Sequence, residues 1–288
     1  MFAESNQIEK RLKKVQAAMA DSLRDTNVSK LLPANKNLLG NGKMLRSRLV
    51  LSMGAANKIS EDTLISAAAA VDIIHAASLL HDDVIDGGIL RRGAPTFWKK
   101  YGVNGAILFG DLLMFKALAL LVKVDRPDLL QELIDRTGDV CRSEVEQELI
   151  LRGTPGDWND CMEVARFKTG SLFAFAAVAA AADEPGQADA LREAGYILGT
   201  AYQLTDDLLD ATGNEAVSGK TLGTDDQRGK TTAISASKNA PKNPVDYIYS
   251  LLDTSSDHLK AYPDVQKAWD DFLNVTMKPV LSKHLGSK

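Results

Sequence analysis

The chain has 288 residues, 45% apolar and 25% charged, with a formal net charge of −4. That length can bury a substantial core, and the composition is that of a globular protein, not a disordered or fibrous one. A net acidic chain lacks the basic footprint expected of a general nucleic-acid binder. Its two cysteines, Cys141 and Cys161, have neither Cys-x-x-Cys nor metal-ligand spacing, which fits free thiols in a reducing cytoplasm.

The opening Met1-Phe2-Ala3-Glu4-Ser5 is not the basic-then-apolar start of a secretory signal. Residues 4 to 25 read as an amphipathic helix with Ile8, Leu12, Val15 and Met19 as its stripe. Pro33 and the polar stretch 34 to 42 form a loop, and a helix follows over about 43 to 57. Ser60-Glu61-Asp62 supplies favoured capping types for a long apolar helix. Period-two runs of β-branched residues are almost absent, so the expected class is all-α: one domain over 1–288, a bundle of about ten or more helices.

The long helix ends in His81-Asp82-Asp83-Val84-Ile85-Asp86. Residues four apart share a helix face with Cβ atoms about 6 Å apart, so Asp82 and Asp86 converge and Asp83 flanks them. Ionised carboxylates so placed repel one another. A hard divalent cation removes that conflict, and magnesium is typically held by one or two carboxylates, waters and substrate phosphates. A single copy of this pattern also reads as a solvated helix end. A second copy, Asp206-Asp207-x-x-Asp210 in Gln203-Leu204-Thr205-Asp206-Asp207-Leu208-Leu209-Asp210, points instead to paired clusters around one polyphosphate.

Further along, Gly93-Ala94-Pro95 breaks the chain, 111 to 124 reads as a helix, and Pro127 opens one reaching about Arg152. Thr154-Pro155-Gly156-Asp157 is a turn and cap; 160 to 182 is helical with a possible break at Lys168-Thr169-Gly170. The longest uncharged apolar run, Ser171 to Ala182, is too short to cross a bilayer, so no transmembrane segment is expected. Gln187 begins the helix of the second Asp cluster, and residues 212 to 232 form a Gly-rich loop carrying Lys220, Arg228 and Lys230, a cationic flap for a phosphate. Two helices, about 243 to 261 and 263 to 283, close the chain. Lys43 and Arg46 at a helix start suit anion binding, although alone they also read as a solvated basic turn.

Taken together, these stretches resemble the trans-isoprenyl diphosphate synthases, or polyprenyl synthetases. The resemblance runs through Gly42-Lys43-x-x-Arg46, His75-x-x-Ser78-Leu79-x-His81-Asp82-Asp83-x-x-Asp86, Arg91-Arg92-Gly93, Gly110-Asp111 and Glu144-x-Glu146-Gln147. It continues through Lys168-Thr169-Gly170, Gln203-x-x-Asp206-Asp207-x-x-Asp210 and the loop with Lys220 and Lys230, over roughly residues 40 to 233. It implies helices around a deep central cavity, usually in a homodimer. It also implies about three magnesium ions per site, held by Asp82, Asp83, Asp86, Asp206, Asp207 and Asp210 on an allylic diphosphate. Arg91, Lys168, Gln203, Lys220 and Lys230 would support that diphosphate. Lys43, Arg46, His75 and Arg92 would bind isopentenyl diphosphate, and Thr169 with Gln203 would line the place where a carbocation forms. The implied reaction is head-to-tail condensation to an all-trans polyprenyl diphosphate.

Alternatives from the same residues are a short-chain farnesyl or geranylgeranyl synthase, a class I terpene cyclase, a head-to-head prenyl synthase or a silent partner subunit. Small Ala77 and Ser78 before the first Asp cluster imply a long tunnel and a product of C20 or more, with Met114, Phe115 or Leu118 as its floor. The chain departs from the family pattern at Ser47, where Pro is common, at Thr205, where an apolar residue is common, within Thr224-Asp225-Asp226-Gln227 and at Thr232-Ala233, and it matches poorly beyond 235.

Overall fold

A computed structural model describes residues 2–35, 39–40, 42–154, 156–212 and 240–285. Lys220, Arg228, Lys230 and the rest of the expected cationic flap lie outside the described residues, apart from its first position, 212. Among the described residues the architecture is helical: α1 (Phe2–Asp21), a 3-10 segment (Asn27–Asn35), α2 (Leu45–Ala56), α3 (Glu61–Ile85), α4 (Phe97–Val122) and α5 (Pro127–Glu146). Then come α6 (Trp158–Ala165), α7 (Ser171–Val178), α8 (Gln187–Thr212), α9 (Pro244–Asp257), α10 (Pro263–Phe272) and α11 (Lys278–Leu285). Three π-helical turns interrupt this series, at Gln147–Leu151, Arg166–Gly170 and Leu273–Met277.

The central helix is α3, which packs on α1, α2, α4, α5 and α7. Ser60 caps it by accepting from the Thr63 amide, and its Ala67–Ala70 run is wholly buried. Small side chains let neighbouring backbones close in, and burial of an apolar stripe stabilises by about 25 cal/mol per Å². On α1, Leu12, Val15 and Met19 are buried against this core as their spacing requires. Every residue of α7 is buried, the signature of a helix surrounded on all sides. It lies against α8 at backbone distance: a Cβ on Gly199 would sit 2.5 Å from the Gly170 Cα.

Two features depart from the sequence expectation. The helix placed at 111 to 124 begins at Phe97 and runs through a kink at Gly102, whose φ of 79° only glycine adopts freely. Both α3 and α4 are long and apolar enough to cross a membrane, where the sequence pointed only to the shorter Ser171–Ala182 run. In α3, 72% of the apolar window is buried within the protein, so its hydropathy is that of a core helix. In α4 only 33% is buried. Its outer face exposes Leu108, Phe115 and Val122, spaced seven apart. Both cysteines are free thiols.

Candidate active site

The first acidic cluster lies where α3 stops. Asp86 is the C-cap, and Gly87 at φ 65° turns the chain out. A two-stranded antiparallel ribbon follows, Leu90–Arg91 paired with Ala94–Pro95. Its two turn residues, Arg92 and Gly93, have φ of 54° and 72°, the double left-handed geometry of a tight hairpin turn. Arginine in that region is strained, and such strain collects at functional sites. The ribbon aims Arg91 back at the helix, where Nε and Nη2 donate to the Asp83 carboxylate at 2.7 to 3.1 Å. Burial raises the Asp83 carboxyl above its ordinary value despite that fork. His81 faces the other way: its Nε2 lies 3.2 Å from the Ile107 carbonyl and 3.4 Å from Asp111. A Cβ at Gly110 would come within 2.3 Å of that ring, so Gly110 gives the imidazole its room.

Basic residues reach the same place from the start of α2. Met44, at φ 47°, is the N-cap, so Lys43 stands before the helix and Arg46 in its first turn. A Cβ on Gly42 would meet Arg92 Nη2 at 2.6 Å; glycine there lets the two basic segments touch. Arg46 is buried, stacks 4.8 Å from the Phe173 ring centroid, and has Nε without a hydrogen-bond partner. Behind it Ser47 Oγ donates to the Asp72 carboxylate, with the Ala68 carbonyl 3.0 Å away. Burial raises the Asp72 carboxyl, opposed by Ser47, Arg46 and Arg92. Burial, with Arg46, Arg91 and Arg92 nearby, pushes His75 well below its ordinary value, so it is neutral at pH 7.

The expected break at Lys168-Thr169-Gly170 is a π-helical turn, a form that often marks functional positions. Pressed against α8, it presents Lys168 to Glu144 at 2.5 Å and to Gln147 at 3.4 Å. Burial opposes the charge on Lys168, but Asp82, Glu144 and Asp86 outweigh it and hold its pKa above the ordinary value. Asp82 is raised to about 6, mainly by burial, with Lys168 opposing and Glu144 and Asp86 adding to the rise. Thr169 donates to Gln203 Oε1, and Gln203 Nε2 donates to Asp207 at 2.7 Å. The hydroxyl of Thr205, where the family pattern has an apolar residue, is buried but satisfied by the Ala201 carbonyl at 2.9 Å.

These pieces line one cavity of about 660 Å³. Its wall carries Asp82 and Asp206 from the two clusters, and Lys43, Arg46, His75, Arg91, Arg92, Lys168, Thr169 and Gln203. Among the described residues, no three acidic or histidine side chains are grouped tightly enough to hold a metal ion alone. That donor set still fits magnesium, which completes its octahedron with waters and substrate phosphates. Asp83, Asp86, Asp207 and Asp210 are not on the cavity wall; Asp83 is engaged by Arg91 and Asp207 by Gln203.

The residues expected to set product length separate. Ser78 is on the wall, but Ala77 is fully buried in packing, and Ala76 and Leu79 face the cavity instead. Met114 and Leu118 are partly buried against the core. Phe115 is 71% exposed on the outer face of α4 and so forms no floor within this chain; α4 is rotated so that Leu113 and Ala117 point inward. The sequence reading missed Asp72, Tyr202, Lys283 and His284, all on the wall. Asp72 and Tyr202 were legible as polar positions in apolar helices; nothing local marked the last two, which arrive from α11.

Residues 29–264 match the family model described as polyprenyl synthetase. An octaprenyl diphosphate synthase of Haemophilus influenzae is 34% identical over 67% of this chain and 60% of its own length. A farnesyl diphosphate synthase of Escherichia coli is 35% identical over 77% of this chain and 79% of its own. A polyprenyl synthase of Caulobacter crescentus, solved with calcium and isoprenyl diphosphate, superposes with a TM-score of 0.82 at 27% identity, covering 93% of this chain and 94% of that one. The likeness thus spans both acidic helices and all three basic segments of the cavity, and the chain belongs to the polyprenyl synthetase family.

Proposed function

We propose that this chain condenses isopentenyl diphosphate with an allylic prenyl diphosphate, head to tail, into an all-trans polyprenyl diphosphate of C20 or longer. One observation carries the reading: a single cavity is lined by the leading aspartates of both acidic clusters and by basic side chains that include Lys43, Arg46, Arg91, Arg92 and Lys168. Breaking the allylic carbon–oxygen bond leaves negative charge on the diphosphate and positive charge on carbon, and donors aimed at the departing oxygens stabilise that separation. Bound magnesium would supply Lewis-acid neutralisation of the same oxygens, and Asp82 and Asp206 would hold it, with Asp83, Asp86, Asp207 and Asp210 nearby. The calcium and isoprenyl diphosphate of the Caulobacter crescentus relative support that assignment.

Lys168 and Arg91 take the allylic diphosphate, while Lys43, Arg46, His75 and Arg92 take that of isopentenyl diphosphate. Thr169 and Gln203 face the developing cation, and buried Leu172 and Val140 keep the wall dry so that water does not trap it. The double bond of isopentenyl diphosphate attacks, and the released diphosphate accepts the proton. Small Ala76 and Ser78 on the wall, with no aromatic beside them on α3, support the longer product. The seven-residue spacing of exposed Leu108, Phe115 and Val122 supports a homodimer closed over α4, and two unpaired thiols fit a cytoplasmic site.

The test is turnover of radiolabelled isopentenyl diphosphate with farnesyl diphosphate and magnesium, with products sized by chromatography. Labelled polyprenyl product of C20 or more is expected. A cyclic hydrocarbon, a head-to-head product, or activity only after mixing with a second subunit would each overturn the reading, and a C15 or shorter limit from any starter would overturn the length.

A further inference from the structure

The last helix enters a site that the sequence motifs build without it. His284, on α11, puts Nε2 2.8 Å from Lys43 Nζ. A lysine ammonium has only N–H to offer, so Nε2 accepts and the ring proton sits on Nδ1. That nitrogen is buried without a hydrogen-bond partner and points toward the Asp206 carboxylate at 3.4 Å. The imidazole therefore stands between the lysine of the α2 segment and the leading aspartate of the second cluster. The Tyr202 ring is 6.5 Å away, centroid to centroid. Lys283 lies on the same cavity wall; partial burial lowers the Lys43 pKa, Asp206 opposes that fall and Lys283 adds to it. The exposed Lys43 ammonium is thus held against an imidazole whose buried Nδ1–H faces Asp206, and α11 forms one side of the cationic cavity.

We propose that His284 is a positioning residue for isopentenyl diphosphate, resting on the function proposed above. It holds the Lys43 ammonium in the basin while the site is empty, and Lys283 adds a second cation beside the incoming diphosphate. His284 reaches the substrate through Lys43 and takes no part in bond making.

The experiment uses the whole chain. Isopentenyl diphosphate is titrated calorimetrically with magnesium and no allylic substrate, and KM is measured for both substrates in wild type, His284→Ala, His284→Gln and Lys283→Ala. Loss of a hydrogen bond to a charged group predicts about tenfold weaker isopentenyl diphosphate binding and a matching rise in its KM for His284→Ala. The effect should fall on KM rather than kcat, leave the allylic KM in place, and be largely restored by His284→Gln, whose amide keeps an acceptor and a donor. Unchanged binding in His284→Ala overturns the proposal. So does a parallel rise of both KM values with a lowered Tm, which marks α11 as merely structural. A wild-type chain that neither binds isopentenyl diphosphate nor forms product fails the functional reading first, and is distinguishable by that.

Discussion

Ser47 stands where the family commonly has proline, and the structure gives the hydroxyl a task that proline cannot perform. Its Oγ donates to Asp72, a carboxylate only 8% exposed that also feels the charges of Arg46 and Arg92. Ser47→Ala removes a hydrogen bond to a charged buried group, a loss of about 1.5–3 kcal/mol. At roughly 2 °C per kcal/mol for a chain of this size, Tm should fall by about 3–6 °C. Ser47→Pro tests the same bond differently. Position 47 is in the first turn of α2, where the backbone N–H has no helical partner, so proline costs no ladder bond. It also stiffens the unfolded chain, returning about 0.4–1 kcal/mol, so Ser47→Pro should melt above Ser47→Ala but below wild type.

The pH dependence has a definite sign. Burial raises the Asp72 carboxyl above its ordinary value, so the folded state binds the proton more tightly than the unfolded one. Stability from this group therefore falls as pH rises from about the ordinary carboxylate value through the folded one. Losing the Ser47 donor raises the folded value further, so the Ser47→Ala deficit should be larger at pH 7 than at pH 5. Thermal melts by circular dichroism at pH 5 and 7 measure this. Melts of both variants within about 1 °C of wild type at pH 7 would refute the reasoning, because a carboxylate that loses its only named donor at no cost is not ionised there.

Arg91→Ala leaves the Asp83 carboxylate buried without its fork; because Arg91 is itself 35% exposed, the loss should sit at the low end, about 3 kcal/mol. Arg91→Lys should recover little of the allylic substrate's KM, since a point charge cannot make the paired contact, and full recovery would argue for charge alone. Asp82, raised to about 6, must ionise before it can take a cation, so apparent magnesium affinity measured from turnover should climb up to about pH 6 and level off above it; a flat profile from pH 5 to 8 would remove Asp82 as a ligand. Phe115→Glu and Leu108→Glu place charge on the bare face of α4 and should convert a dimer to monomer in sedimentation; an unchanged sedimentation coefficient would move the interface elsewhere.

The helices, their caps and both acidic clusters were legible because each depends on residues within one or two turns: Ser60 before its helix, the buried stripe of α1, aspartates at i, i+1 and i+4. The clustering of basic residues was legible only through family likeness, since Lys43, Arg91 and Lys168 are far apart along the chain. Rotation of α4 was not legible at all, because an apolar residue on a two-sided apolar helix has no local preference for inside or outside; packing against α3 chose Leu113 and Ala117 and turned Phe115 out. Arg91 gripping Asp83 required the left-handed turn at Arg92 and Gly93. His284 came into the site through packing of the last helices, a long-range contact joining positions 43 and 284 that no spacing rule encodes. Local chemistry thus set which groups the chain carries, and tertiary packing decided which of them face one another, because direction across a core is settled by the neighbour and not by the segment.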